Sequence, residues 1–440
     1  MTNRSQSAPL DGDTARQHFY AAMILLLVAL LLGGVNRNVN HLAVELAALP
    51  LFYLLVRDRA QVQLGASGRF ALGAFAVALL QLVPLPPALW TALPGRELAV
   101  DVYRAAGMAP GWRPMALDPG AAALALATLV PALILFIGVR NLPWEQRRRL
   151  LGIIAAVAFA SALLGVGQRL MGIGPLYQTM HRGFSTGLFV NRNHQADLIL
   201  AGVLLLPALV PAPRLDSLRL PLSVAVVMLG LAVTATTSRM GLLLAMPAVL
   251  LSLALVWRPP LRLVVPVAAV YLVAAVLVLQ LPVFAPLLAR LGDAGNDDRA
   301  WIADTTLVAS RAMWPVGSGY GSFVPVYAAY EDLDRMAALR VVAAHNDFLQ
   351  IILEGGLGGL LTILGALGLL AHNAWRLWSR DGQAQAPALA WAAFGCLGVL
   401  LLHSLVDFPM RMAALMALFA TCAGASDAVQ QFVAKGRELT

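Results

Sequence analysis

The sequence predicts an all-α polytopic membrane protein with about 12 transmembrane helices. Three observations carry that prediction. Of 440 residues, 60% are hydrophobic and 12% charged, with a mean hydropathy of +0.76, too little polar surface for a domain whose solvent is water. Apolar runs long enough, or nearly long enough, to cross a bilayer recur along the chain. The basic residues behind the formal charge of +8 fall at intervals between those runs, so they write membrane topology and exclude a nucleic-acid surface. The two cysteines, Cys396 and Cys422, each lie in an apolar run and offer neither a disulfide framework nor a metal spacing.

Taken in order, the spans are expected at 19–34, 41–56, 69–90, 121–139, 150–171, 195–212, 218–236, 240–257, 261–281, 347–371, 387–405 and 409–426. Residues 1–18, with Arg4 and Arg16, read as a tail ahead of an uncleaved first span, and 427–440, with Lys435 and Arg437, as the other tail. One set of short loops holds Arg57, Arg59, Arg69, Arg140, Arg147, Arg148, Arg149, Arg214, Arg219, Arg258, Arg262, Arg376 and Arg380. These share a side with both termini, which is expected to be the cytoplasm of a bacterial inner membrane. On that reading, helices 1–9 occupy 19–282 with an outer loop at 91–120. A large periplasmic loop covers 283–344, and helices 10–12 occupy 345–426.

Within 283–344, Trp301, Ile302, Val308, Ala309, Ala312 and Met313 share one helical face, while Arg299, Thr306 and Ser310 occupy another. This is expected to be an amphipathic helix resting on the membrane or against the bundle. Gly317, Gly319 and Gly321 follow it, and their spacing reads as a tight turn rather than a phosphate cradle. Glu331-Asp332-Leu333-Asp334 contains an acidic pair of the kind that holds divalent cations, but it reads better as a solvated loop, and no metal or cofactor is expected.

Ionisable groups at span ends are the informative ones, because charge near hydrocarbon is costly. Arg239, in Thr236-Thr237-Ser238-Arg239-Met240-Gly241, lies in a very short outer connection, where basic residues are disfavoured. Its planar guanidinium offers two donors to an anion at headgroup level; a topology or lipid-headgroup arginine is the alternative, but the side on which Arg239 lies favours a functional role. His345 opens Ala344-His345-Asn346-Asp347-Phe348-Leu349-Gln350 at the outer start of a span, where the helix dipole favours a neutral ring suited to general-base work. Spacing alone fits a helix-capping histidine equally well. Asp347 either orients that ring or complements the dipole. Asn191, Arg192, Asn193 and His194 combine amide, guanidinium and imidazole groups that suit sugar hydroxyls and phosphate, though asparagines there also cap helices. Glu354 lies two turns inside its span and needs a polar cavity or a cationic partner. His403 and Asp407, one turn apart, read as a hydrogen-bonding or packing pair.

These segments resemble the O-antigen ligase and polymerase superfamily of bacterial membrane glycosyltransferases. The resemblance is carried, in the family's order, by 189–194, by Thr237-Ser238-Arg239-Met240-Gly241 and by 315–323, which contains Tyr320. It continues in 345–350 with Glu354-Gly355-Gly356, and in His403-Ser404-Leu405-Val406-Asp407-Phe408. It implies a GT-C-like fold and a metal-independent, inverting transfer of a glycan from undecaprenyl diphosphate to an acceptor sugar at the periplasmic face. The acceptor is the lipid A–core sugar in a ligase, and another carrier-linked repeat unit in a polymerase. A capsule or exopolysaccharide polymerase and a protein-glycosylating ligase share the same donor and site. By motif position the catalytic residues are expected to be His345, Arg239 and Arg299, with Asn191, Arg192, Asn193, His194, Tyr320 and Asp347 binding substrate. Arg192 departs from the family pattern. A 12-span transporter is the reading from a different class, disfavoured because the polar groups gather at span ends and no second copy of the motifs is present.

Overall fold

The computed structural model describes residues 10, 12–35, 37–177, 183–257, 299–332, 340–379 and 388–427, with four isolated helical positions between 266 and 277. The rest of the ninth expected span lies outside the described residues, as do Arg4, Arg258, Arg262, Asp334, Arg380, Lys435 and Arg437. Fifteen helices are described: α1 Gly12–Leu32, α2 Asn38–Arg57, α3 Gly65–Leu79, α4 Pro87–Trp90, α5 Glu97–Ala105, α6 Pro119–Asn141, α7 Trp144–Leu170, α8 Arg192–Ala208, α9 Ala212–Thr236, α10 Arg239–Trp257, α11 Arg299–Ala312, α12 Phe323–Tyr330, α13 Asp347–Trp378, α14 Ala388–His403 and α15 Ala413–Asp427. Eight of the described helices are long and apolar enough to cross a membrane, which fits a polytopic all-α membrane protein. Three shorter ones, α8, α14 and α15, complete the bundle.

Burial follows the hydropathy of each helix. α8 is buried on nearly every face and packs against α7, α9, α10 and α14, as expected of a helix that is apolar all round over its last three turns. α15 plays the same part between α1, α6 and α14. α3, by contrast, keeps only Gly68 and Ala78 buried. The third span also ends earlier than expected: α3 stops at Leu79 and a short 3₁₀ turn ends at Leu82. Pro84, Pro86 and Pro87 bring no amide donors to continue a helix. Instead, β1 Pro84–Leu85 pairs antiparallel with β2 Arg113–Pro114 at the base of a small cap containing α4 and α5.

α11 corrects the expected faces. Ile302, Ala309 and Met313 are buried as anticipated, but Val308 is 52% exposed, and Thr306 and Ser310 face inward. The two hydroxyls sit there at no polar cost because they donate to the carbonyls of Ile302 (2.6 Å) and Thr306 (2.7 Å). α11 packs on α12 and α13.

The glycine turn after α11 is keyed into a break in α13. Gly356, at φ 56°, interrupts that helix. The freed carbonyls of Leu353 and Glu354 accept from the amides of Ser318 (3.0 Å) and Gly319 (2.9 Å), while the Leu357 amide reaches the Pro315 carbonyl (2.8 Å). Gly317, at φ 81°, stands so close that a Cβ there would lie 2.5 Å from the Glu354 carbonyl. The glycines therefore dock one backbone against another. Arg96 locks the α4–α5 cap onto the same turn, its buried guanidinium donating to the carbonyls of Met115 (2.7 Å), Gly317 (3.0 Å) and Pro94 (3.1 Å).

Candidate active site

The starts of α8 and α13 and the turn leading into α10 are joined at one end of the bundle by the Asn193–Asp407–His345 contacts and the Arg192–Thr237 bond. Arg299, the first residue of α11, acts electrostatically on His403 there. Asn191 is the N-cap of α8, its side chain accepting from the Asn193 amide (2.9 Å), and Asn346 is the N-cap of α13, accepting from the Leu349 amide (3.0 Å). α8 starts three residues before the expected span, which puts Arg192, Asn193 and His194 on its first turn, buried, rather than in a loop.

His345 stands just before the α13 cap. Its Nδ1 lies 3.2 Å from Asp407 Oδ1, and its side chain is 29% exposed against 1% for Asp407. Asn193 Nδ2 donates to the other carboxylate oxygen of Asp407 at 2.5 Å. Burial opposes the Asp407 charge, but the His345 hydrogen bond and the nearby His194, His345 and His403 rings outweigh it, holding the carboxyl well below the usual range. With Nδ1 turned to Asp407, Nε2 is the ring nitrogen left to meet a ligand. Phe408 packs edge-on to both His345 (5.0 Å between centroids) and His194 (5.2 Å).

The backbone is strained at this point. Thr237 (φ 53°) and His345 (φ 49°) are the non-glycine residues of positive φ among the described residues, and both are in this cluster; such conformations persist where the surroundings hold them. Thr237 is held by Arg192, which donates to its Oγ1 at 2.7 Å while lying 4.8 Å over the Phe184 ring. This gives Arg192 a place: it braces the α9–α10 turn that presents Arg239. Gly241 keeps α10 against α8, since a Cβ there would lie 2.7 Å from the Ala196 Cβ. Arg239 and Arg299 are both half-buried first residues of helices, and Arg299 is near enough to His403 to act on it electrostatically. The guanidiniums thus share their end of the bundle with the positive poles of four helices, a setting that attracts anions.

Two sequence expectations are corrected here. His403 and Asp407 do not pair through their side chains: His403 Nδ1 lies 2.5 Å from Asp197 Oδ1 on α8, and Asp407 serves His345 and Asn193. Asp347 does not orient His345 either. Its carboxylate accepts from Ser404 Oγ and the Met410 amide (both 3.0 Å), with Arg411 Nε 3.6 Å away. Glu354 has the cationic partner it required, Arg411 Nη2 at 3.0 Å, and also accepts from Gln350 (3.1 Å).

Tyr320 belongs to this second cluster. Its phenol lies beside the backbone of Gly355, and burial, reinforced by the Glu354 charge, pushes it up to about 12. The cluster of Tyr320, Asp347, Gln350, Glu354, Ser404 and Arg411 forms the polar end of a cavity of about 590 Å³. From there the cavity runs along apolar walls that include Phe75, Leu129, Leu133, Ile363, Leu370 and Phe419. Ser404 joins the two halves of the site: its carbonyl accepts from the Asp347 amide (2.9 Å), two residues after His345.

Residues 224–364 match the family described as O-antigen ligase. The matched segment contains Arg239, Arg299, Tyr320, His345, Asp347 and Glu354, and stops short of Asp407. No curated protein matches the chain.

Proposed function

We infer, from an O-antigen ligase domain that supports membership of the O-antigen ligase and polymerase superfamily, that the chain moves a glycan from a polyprenyl diphosphate carrier to an acceptor hydroxyl. The observation that carries the chemistry is the His345–Asp407 contact. Asp407 accepts a hydrogen bond from Nδ1–H, which fixes the tautomer and leaves the Nε2 lone pair free to receive the acceptor's hydroxyl proton, the orienting logic of a carboxylate–imidazole pair. The acceptor oxygen then bonds to the anomeric carbon from the face opposite the diphosphate. The carbon–oxygen bond to the carrier breaks with its electron pair going to the leaving diphosphate, so the configuration inverts.

That leaving group gains negative charge, and Arg239 and Arg299 are the groups to offset it. Preorganised donors in a partly dehydrated site each contribute a few kcal/mol to such a step. The hydrocarbon of a lipid-carried substrate has room in the apolar cavity, whose polar end adjoins the segment that carries His345. The distribution of arginines in short connections supports reading this end of the bundle as the periplasmic face of an inner membrane. A lipid A–core sugar is the acceptor in the ligase reading; a carrier-linked repeat unit or a protein is the acceptor in its relatives. The test uses purified full-length protein and lipid-linked glycan extracted from a strain deleted for the chain. His345→Gln is expected to lower turnover by about 10²–10⁴ with the donor KM little changed, and wild-type turnover in that variant would remove His345 from the mechanism. The lipopolysaccharide gel pattern of the deletion strain separates a ligase, which leaves lipid A–core bare, from the alternatives.

A further inference from the structure

One turn deeper than Asp407, α8 and α14 are joined by a second polar contact. His403 Nδ1 and Asp197 Oδ1 are 2.5 Å apart, with the two side chains 1% and 0% exposed, amid the apolar core formed by α7, α8, α10 and α14. The remaining carboxylate oxygen, Asp197 Oδ2, is buried without a hydrogen-bond partner. Asn193 and Asp197 are one turn apart on α8. Asp407 and His403 are likewise one turn apart, still joined by the Asp407 amide donating to the His403 carbonyl (2.9 Å). The two helix ends therefore meet as a ladder of two rungs, Asn193–Asp407 at 2.5 Å and Asp197–His403 at 2.5 Å. His345 hangs from the upper rung. Asp197, Asp407 and Arg299 are the charged groups acting on His403.

Ionisable side chains inside a membrane bundle are costly and are kept where they serve function. A buried ion pair is a poor source of stability, since apolar replacements of similar size are often as stable or more so. What it supplies instead is direction: apolar contacts tolerate sliding and rotation, whereas a short bond between two particular atoms sets register. We propose that Asp197 and His403 are positioning residues for the transfer reaction. They hold α8 and α14 in the register that lets Asn193 and His345 share Asp407, and so present Nε2 to the acceptor. This rests on the assignment of His345 as the base.

The experiment compares full-length wild type, His403→Leu, the double variant Asp197→Leu/His403→Leu and His345→Gln in phospholipid nanodiscs, with the same extracted lipid-linked glycan as donor. His403→Leu strands a buried carboxylate and is expected to lower the melting temperature. The double variant removes both polar groups, so its melting temperature is expected to return to that of wild type or above. Its turnover is nonetheless expected to stay at least about tenfold down, with the donor KM within about twofold, because only an interaction felt in the transition state has been lost. A double variant with wild-type turnover beside an inactive His345→Gln overturns the positioning role alone. Wild-type turnover in His345→Gln overturns the base on which it rests.

Discussion

Replacing Asp407 by asparagine keeps the size of the side chain and removes half of its accepting power. The carboxylate takes one bond from Asn193 at 2.5 Å and one from His345 Nδ1 at 3.2 Å, whereas an amide has a single oxygen. If that oxygen faces His345, its NH₂ confronts the Asn193 NH₂; if it faces Asn193, the NH₂ forces His345 to accept at Nδ1 and to carry its proton on Nε2, where no proton can then be received. The first arrangement leaves buried donors unmatched, at about 1–3 kcal/mol of stability, and the second disables the base. The expected loss of turnover is about 10²–10⁴, or about 2.7–5.4 kcal/mol in the barrier. Single-turnover transfer by purified protein, normalised to folded protein, reads it directly.

The pH dependence sharpens the same test. Asp407 is held below the ordinary carboxyl value of about 3.9. A depressed value in the folded state means that its stabilisation is complete above that ordinary value, and is lost only as the pH falls through the lower, folded one. A decline of transfer between about pH 7 and 5, the range in which imidazoles titrate, is therefore not protonation of Asp407. The decline should persist in the residual activity of Asp407→Asn. Turnover of Asp407→Asn within about threefold of wild type, at normal abundance, would refute the orienting role.

Arg239→Lys and Arg299→Lys are each expected to lose nearly as much transfer as the alanine variants. Lysine keeps the charge but not the planar fork that holds two diphosphate oxygens, so recovery by lysine at both positions would show that charge alone suffices. Sidedness is tested with single cysteines labelled by an impermeant thiol reagent in intact spheroplasts. Trp112, 69% exposed in the cap, and the exposed Asp332 should label, while Arg149, at the start of α7, should label only after lysis; the opposite pattern would put the candidate site in the cytoplasm.

Much of this molecule was legible from single residues. Hydropathy found each described helix of the bundle, although α1, α7, α9 and α13 run six or seven residues beyond the expected span at one end, because a helix that must satisfy its own backbone in lipid announces itself by an uninterrupted apolar run. The errors fell where a local signal was overridden. Prolines after Leu82 ended the third span, and two hydroxyls that bond their own helix turned inward on α11. His345, Arg239 and Glu354 stood out because polar groups at the ends of apolar runs are costly, and that cost is visible without a structure.

The partnerships were not legible. His403 and Asp407 sit one turn apart in sequence, the spacing of a helical pair, yet their partners are Asp197 and Asn193, 206 and 214 residues away. Asp347, two residues from His345, turns its carboxylate to Ser404 and Met410 instead. The amino-acid sequence by itself determined the class of protein, the described apolar helices of its bundle and which polar residues stand at costly positions, since each of those follows from the transfer energy of a residue or a short run. The tertiary structure alone decided which carboxylate meets His345, that Arg192 bonds to the turn bearing Arg239, and that a cavity opens beside them. Hydrogen bonds act over about 3 Å, and only the packing of α8 against α14 brings such distant residues within that reach.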